Sequence, residues 1–231
     1  MRLKTAALVI LVVAVAGLGL KRIATSSQEE EKWEDRNSVR AVARRNKAKG
    51  TSRIAISGPI IDYPGLNSGV DDLLRNYSVV IAQPIATRGY LVNSHSIGTW
   101  YKFRVSEAIS LKPARYCNTC PELGTPPEEF GPTLSNEFLL TVDGGTLLIE
   151  GVEVTQSSAS IPRFEEAKNY LLVLSFLPGG VARLAAGPAA IYRVEDNDRF
   201  DGIDTHKYRA YEEVKTRFKG RLSMLKSQIN R

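Results

Sequence analysis

Cysteine and histidine are each present only twice, so the chain has little with which to assemble a zinc centre. Four-coordinate zinc wants four such ligands, and besides Cys117 and Cys120 only His95 and His206 are available, far apart in sequence. No metal and no cofactor is expected. A phosphate-cradling glycine loop is missing too: the one closely spaced G-x-G, Gly17 and Gly19, lies inside an apolar run and not between a strand and a helix. Ser94-His95-Ser96 has no acid nearby and no nucleophile-elbow sequence, which leaves a hydrolase triad without support. The adjacent acids Glu128-Glu129, Glu165-Glu166 and Glu212-Glu213 diverge whether extended or helical, and read as solvated charge. A convergent reaction centre is therefore absent from the pattern.

Long hydrophobic runs are scarce as well. One exists, residues 6–20, behind a short basic leader. Fifteen helical residues span about 22 Å, less than the roughly 30 Å of a hydrocarbon core. Residues 1–24 are thus expected to be a signal peptide or a short signal anchor, extended by Ile23 and snorkelling Lys21 and Arg22. Basic residues flank the run on both sides, so the positive-inside rule does not fix its orientation. Residues 25–50 are charge-dense with few large apolar side chains, and are expected to form a stalk or linker. The excess of 31 Lys+Arg over 25 Asp+Glu sits partly in these flanks and partly in the last segment, so it describes tails more than a core.

What is present is β pattern. The chain is organised around residues 76–107. Val79 to Ala82 are apolar on both faces, as in a central buried strand, whereas residues 97–105 alternate. There Ile97, Thr99, Tyr101, Phe103 and Val105 share one face, and Trp100, Lys102, Arg104 and Ser106 the other, which is expected to look outward. Residues 54–61 read as an edge strand and residues 70–77 as a two-turn helix. Pro84 is expected to close the buried strand, and Thr87-Arg88-Gly89 to turn the chain. Residues 112–135 form a long Pro-rich loop holding both cysteines, of a length that is usually functional or disordered.

Further on, Asp143-Gly144-Gly145 reads as a hairpin turn between residues 137–142 and 146–155. The apolar parity switches from Leu147 and Ile149 to Val152 and Val154, which predicts a β-bulge at Glu150-Gly151. Residues 170–177 are the most apolar strand, hence central. Strands at 181–184 and 189–194 complete an all-β signature over residues 51–195. Residues 196–231 hold an acidic loop and one basic amphipathic helix, with Tyr208, Tyr211, Val214, Phe218, Leu222, Leu225 and Ile229 at spacings of three and four.

The order of these motifs is a helix of LLRNY type, a VV-I-A strand, TWYKFRVSE, a GG turn before IEGV, Phe164 ahead of NYLLVLSFL, and a closing segment with Gly187, Pro188, Tyr192 and Val194. It resembles a broad group of uncharacterised exported bacterial domains with a small OB-like or netrin-like β-barrel, over residues 70–194. The resemblance implies a mainly β fold, a closed or partly open small barrel; the Cys-bearing loop and the long C-terminal amphipathic helix depart from the group's pattern, and the N-terminal apolar helix is read from residues 6–20. It also implies export to the cell envelope, anchored in the inner membrane and facing the periplasm, or secreted after cleavage. It carries over no catalytic residue.

Three surfaces remain as candidates. Cys117 and Cys120 form a C-x-x-C in a Pro/Gly-rich loop: a disulfide in an oxidising compartment, or a redox pair. Trp100, Lys102 and Arg104 are the side chains from which a stacking and basic platform for single-stranded nucleic acid would be built, unless the terminal helix covers them; export removes most nucleic acid from reach. The terminal helix is a candidate for self-association or for an anionic membrane surface. The expected function is a non-catalytic envelope module that binds another macromolecule, with membrane contact through residues 6–20. Thiol-disulfide activity and a tethered nucleic-acid binder are the alternatives.

Overall fold

The computed structural model describes residues 36–58, 63, 66–114, 125–157, 161, 163–203 and 208–229. The expected signal segment, Cys117, Cys120 and His206 lie outside them. Helix α1 (Val39–Ala48) and strand β1 (Arg53–Ser57) precede helix α2 (Val70–Asn76) and the long strands β2 (Ser78–Asn93) and β3 (Ser96–Ser110). Then follow β4 (Glu137–Asp143), β5 (Gly145–Ile149), β6 (Val152–Ser157), β7 (Asn169–Leu177), β8 (Val181–Leu184), β9 (Ile191–Val194) and β10 (Phe200–Gly202). Helices α3 (Arg209–Arg217) and α4 (Leu222–Ile229) end the described chain.

The protein is mainly β. Seven strands form one sheet in the order β10-β9-β7-β2-β3-β4-β8, and β7 also pairs with β8. A three-stranded sheet, β1-β6-β5, stands beside it. As their two-sided apolar sequences require, the first half of β2 and the body of β7 are central and buried on both faces. Val79, Ile81, Leu171 and Val173 face a layer built by α2, α3 and α4. The alternate residues Val80, Ala82, Tyr170, Leu172 and Leu174 face an aromatic core. There Phe103 stacks on Phe138 at 5.2 Å, and Phe164 meets Tyr101, Phe103 and Tyr170 edge-on.

Several local expectations are corrected. Strand β2 runs through Pro84 and through residues 87–89. Its last pair with β7 is Ala82↔Tyr170, and its register against β3 shifts between Pro84 and Ala86. One edge is thus already free of the β7 ladder, and the irregularity absorbs the missing N–H of proline. Asp143-Gly144-Gly145 is no hairpin: β4 pairs with β3 and β8, while β5 pairs with β6, so this glycine pair carries the chain from one sheet to the other. Gly144 donates its N–H to Ile97 O at 2.8 Å and accepts from Thr99 Oγ1 at 2.7 Å. The parity switch at Glu150-Gly151 marks a two-residue hairpin turn between β5 and β6, not a bulge. Both turn residues have positive φ, 51° and 84°, the geometry whose twist suits tight hairpins.

The expected single C-terminal helix is two, broken where Lys219 and Gly220 adopt φ of 51° and 61°. Arg199 and Arg221 bridge there, and Gly220 O accepts from Phe200 N at 2.9 Å, so the break lets the chain stitch itself to β10. Buried Tyr211, Val214, Phe218, Leu222 and Leu225 show that the apolar stripe packs against the sheet.

Part of the expected stalk is folded. Ser38 caps α1 by accepting from Ala41 N at 3.2 Å, and Gly50, at φ 78°, ends it. Val39 and Ala43 are buried with Ile97, Ile149, Val152 and Val154 in a separate core beneath the three-stranded sheet. Two small apolar residues one turn apart suffice once a sheet supplies the other wall, a partner the local composition does not reveal. Among the described residues no helix is long and apolar enough to cross a membrane.

Candidate functional site

Partners across an antiparallel pair point to the same side of a sheet. Trp100, Lys102 and Arg104 on β3 therefore share a face with Thr141, Leu139 and Glu137 on β4, their register partners. Arg88 and Ala86 on β2 lie opposite Trp100 and Lys102 on the other edge. This is the face expected to look outward, and it is covered. Trp100 is 0% exposed.

The cover is not the terminal helix. It is the chain's own β3–β4 connection, which makes one 3-10 turn at Glu128–Phe130 and reverses at Gly131, φ 59°. Phe130 packs with Trp100 and Leu139, flanked by Ala86, Tyr90 and Val181. Lys102 Nζ donates to Phe130 O at 2.8 Å and Pro132 O at 3.2 Å, and lies 2.9 Å from Glu137 Oε2. An ammonium has three N–H groups, so its donor capacity is matched. The Glu137 carboxylate also accepts from Arg104 at 3.3 Å and from Leu134 N at 3.3 Å. The Lys102 ammonium first, and then the Leu134 N–H and Arg104, hold the Glu137 carboxyl below the usual glutamate range against the opposing effect of burial. Arg104 is half exposed and reaches Glu137 from the rim. Arg88 and Glu129 pair at 3.2 Å in open solvent and add little.

Behind Phe130 lies a second polar group. Tyr90 and Thr141 hydroxyls are 2.8 Å apart, and the Tyr90 ring is tilted on Trp100 at 5.8 Å between centroids. Burial pushes the Tyr90 hydroxyl and the Asp143 carboxyl up and the Arg183 guanidinium down, with Asp143 and Arg183 each moderating the other's shift. The sequence pointed to none of these three, because Tyr90, Asp143 and Arg183 are separated in the chain and meet only through the pairing of β2, β4 and β8 with their neighbours.

Cys117 and Cys120 lie outside the described residues. His95 sits in the two-residue turn between β2 and β3, with Nδ1 3.3 Å from Asn37 O and its backbone N–H on Asn93 Oδ1 at 2.8 Å. Among the described residues no cluster of three or more His, Cys, Asp or Glu could hold a metal ion. Glu213 is not merely solvated charge: it accepts from Val70 N at 2.7 Å and from Arg209 at 2.8 Å, tying α3 to the start of α2. No protein-family model, curated protein or solved structure matches the chain.

Proposed function

We propose that the chain is a non-catalytic interaction module of the cell envelope. An OB-like barrel, held at the inner membrane by residues 6–20 and facing the periplasm, presents the β3–β4 connection to another macromolecule. The barrel reading is supported by the pairing order. Strands β2, β3, β4, β8 and β7 follow one another, β7 returns to β2, and only the β4–β8 pair is parallel. Five strands so connected fit a small Greek-key barrel of OB type, whose ligands are taken on the face of its second and third strands.

Here those two strands are β3 and β4, and the observation that carries the proposal is that their outer face is fastened shut. Lys102 spends its donors on the connection and on Glu137, and Trp100 has no exposed surface on which a base could stack. What solvent meets instead is the outer side of the connection, where Leu111 and Leu134 are 64% and 58% exposed. Two large apolar side chains at the ends of one loop are the kind of feature a protein partner buries.

Protease added to spheroplasts, combined with a photo-cross-linking residue at position 134 in intact cells, tests this. The expected result is a barrel digested from outside and a discrete cross-linked adduct that is absent when the label is at position 215. A protected barrel, no adduct at 134, or a turnover abolished by one point substitution would each overturn it.

A further inference from the structure

The described part of the chain opens on a strongly one-signed stretch. Between Arg36 and Lys49 there are six cations, Arg36, Arg40, Arg44, Arg45, Lys47 and Lys49, and no acid. In a mobile tail this would be diffuse charge, but here it is held in place. The Ser38 cap, the buried Val39 and Ala43, and the bond from Val39 N to Ser94 O at 2.8 Å fix α1 against the three-stranded sheet and the β2–β3 turn. All six cations are exposed. Among the described residues only Arg44 has an acidic partner, Glu150 at 2.7 Å; the Arg45 guanidinium donates to Arg36 O. Favourable cations at a helix C-terminus account for Lys47 and Lys49 but not for Arg36 and Arg40, which precede or begin the helix.

The sequence says what lies close to this face. The apolar run of residues 6–20 is joined to Arg36 by residues 21–35, which reach at most about 50 Å when fully extended. An anchor in a bilayer therefore keeps α1 within reach of the headgroups. We propose that the exposed face of α1 is a lipid-contact surface that lies on anionic headgroups and sets the barrel's orientation on the membrane. The inference rests on the membrane attachment proposed above and adds the class of lipid and the residues that meet it. Polybasic surfaces beside an anchor bind anionic bilayers and are released by salt, because the attraction decays over a screening length of about 10 Å at 0.1 M salt.

The test is residue-resolved lysine acetylation of the full chain reconstituted into vesicles. One set is neutral phosphatidylcholine and the other contains added phosphatidylglycerol; each is run at low and high salt and read by mass spectrometry. Lys215 and Lys219, exposed on the helical layer, are internal controls. The expected result is several-fold slower labelling of Lys47 and Lys49 in the anionic vesicles at low salt only, weakened by Arg40→Glu, with both controls unchanged. Equal labelling in the two vesicle types would overturn the inference. So would protection already present in neutral vesicles, which would mean that the acidic residues 29–35 cover the helix. Protection by a single-stranded oligonucleotide and not by anionic lipid would overturn it in favour of nucleic acid. Association with neutral vesicles reports separately on residues 6–20, so loss of that association with Lys47 and Lys49 still protected by anionic lipid would remove the anchor and leave the lipid face standing.

Discussion

The Lys102 ammonium and the Glu137 carboxylate lie 2.9 Å apart with 11% and 2% of their side chains exposed. Taking Glu137 away leaves the Lys102 ammonium largely shielded from water, with only the Phe130 and Pro132 carbonyls as partners. Glu137→Ala is expected to cost about 3 kcal/mol, whereas Lys102→Met combined with Glu137→Leu should recover most of it. Urea denaturation of the two single variants and the double variant forms the cycle; a single variant within error of the parent would show that water reaches the pair.

Acid should open the same contact. The carboxyl of Glu137 is held below its ordinary value of 4.5. A depressed folded-state pKa gives stability that is complete above the unfolded value and is lost as pH falls through the folded one. In a Trp33→Phe background, acrylamide quenching of Trp100 should stay low down to about pH 5 and rise below the ordinary glutamate range. Phe130→Ala should make Trp100 quenchable at neutral pH without unfolding the seven-stranded sheet. Quenching that is flat to the point of global unfolding would deny that this ion pair fastens the loop.

Gly145→Ala is expected to be among the most damaging single changes in the sheet. Gly145 has φ 142°, and a Cβ built there would overlap the Thr99 hydroxyl, which is occupied with Gly144 O. Backbone strain and the lost hydrogen bond together should exceed about 3 kcal/mol. Soluble yield and thermal unfolding provide the readout, with Gly179→Ala as a comparison that meets nothing within 4 Å, though at positive φ.

Tyr211→Phe tests the docking of α3. The buried hydroxyl lies 2.5 Å from Pro188 O, just before β9, and 3.1 Å from Ile191 O at its start, and its single proton is shared between the two carbonyls. Its removal takes one donor from a dry interface, where Pro188 O keeps the Ile191 N–H, and should lower stability by about 1 kcal/mol with an unchanged denaturant slope. A neutral variant would indicate that water replaces the hydroxyl.

Period and run length made the central strands legible: Val79 to Ala82 and Tyr170 to Leu177 are apolar on both faces because both faces are covered. The same rule misread Lys102. Alternation marks a strand whose two faces differ, but a polar side chain can equally be clamped by a loop, and residues 125–136 offer no periodicity by which to foresee that they fold back. Glu150-Gly151 shows a second limit. A change of parity says that the face has switched, and a tight turn and a bulge both switch it. Helix α1 shows a third, since a helix with two small buried residues is indistinguishable from a solvated spacer until the strand it leans on is known.

Strand β1 pairs with β6 in parallel, Arg53 opposite Glu153, 100 positions further along the chain. At about 5–20 residues per second, synthesis delivers β6 some 5–20 seconds after β1 has emerged. Ile54 and Ile56 wait through that interval without the surface they finally pack against. Helix α1, which leans on β6, waits with them. The three-stranded sheet is therefore closed by a long-range pairing, and its assembly is paced by the arrival of β6 and not of β1.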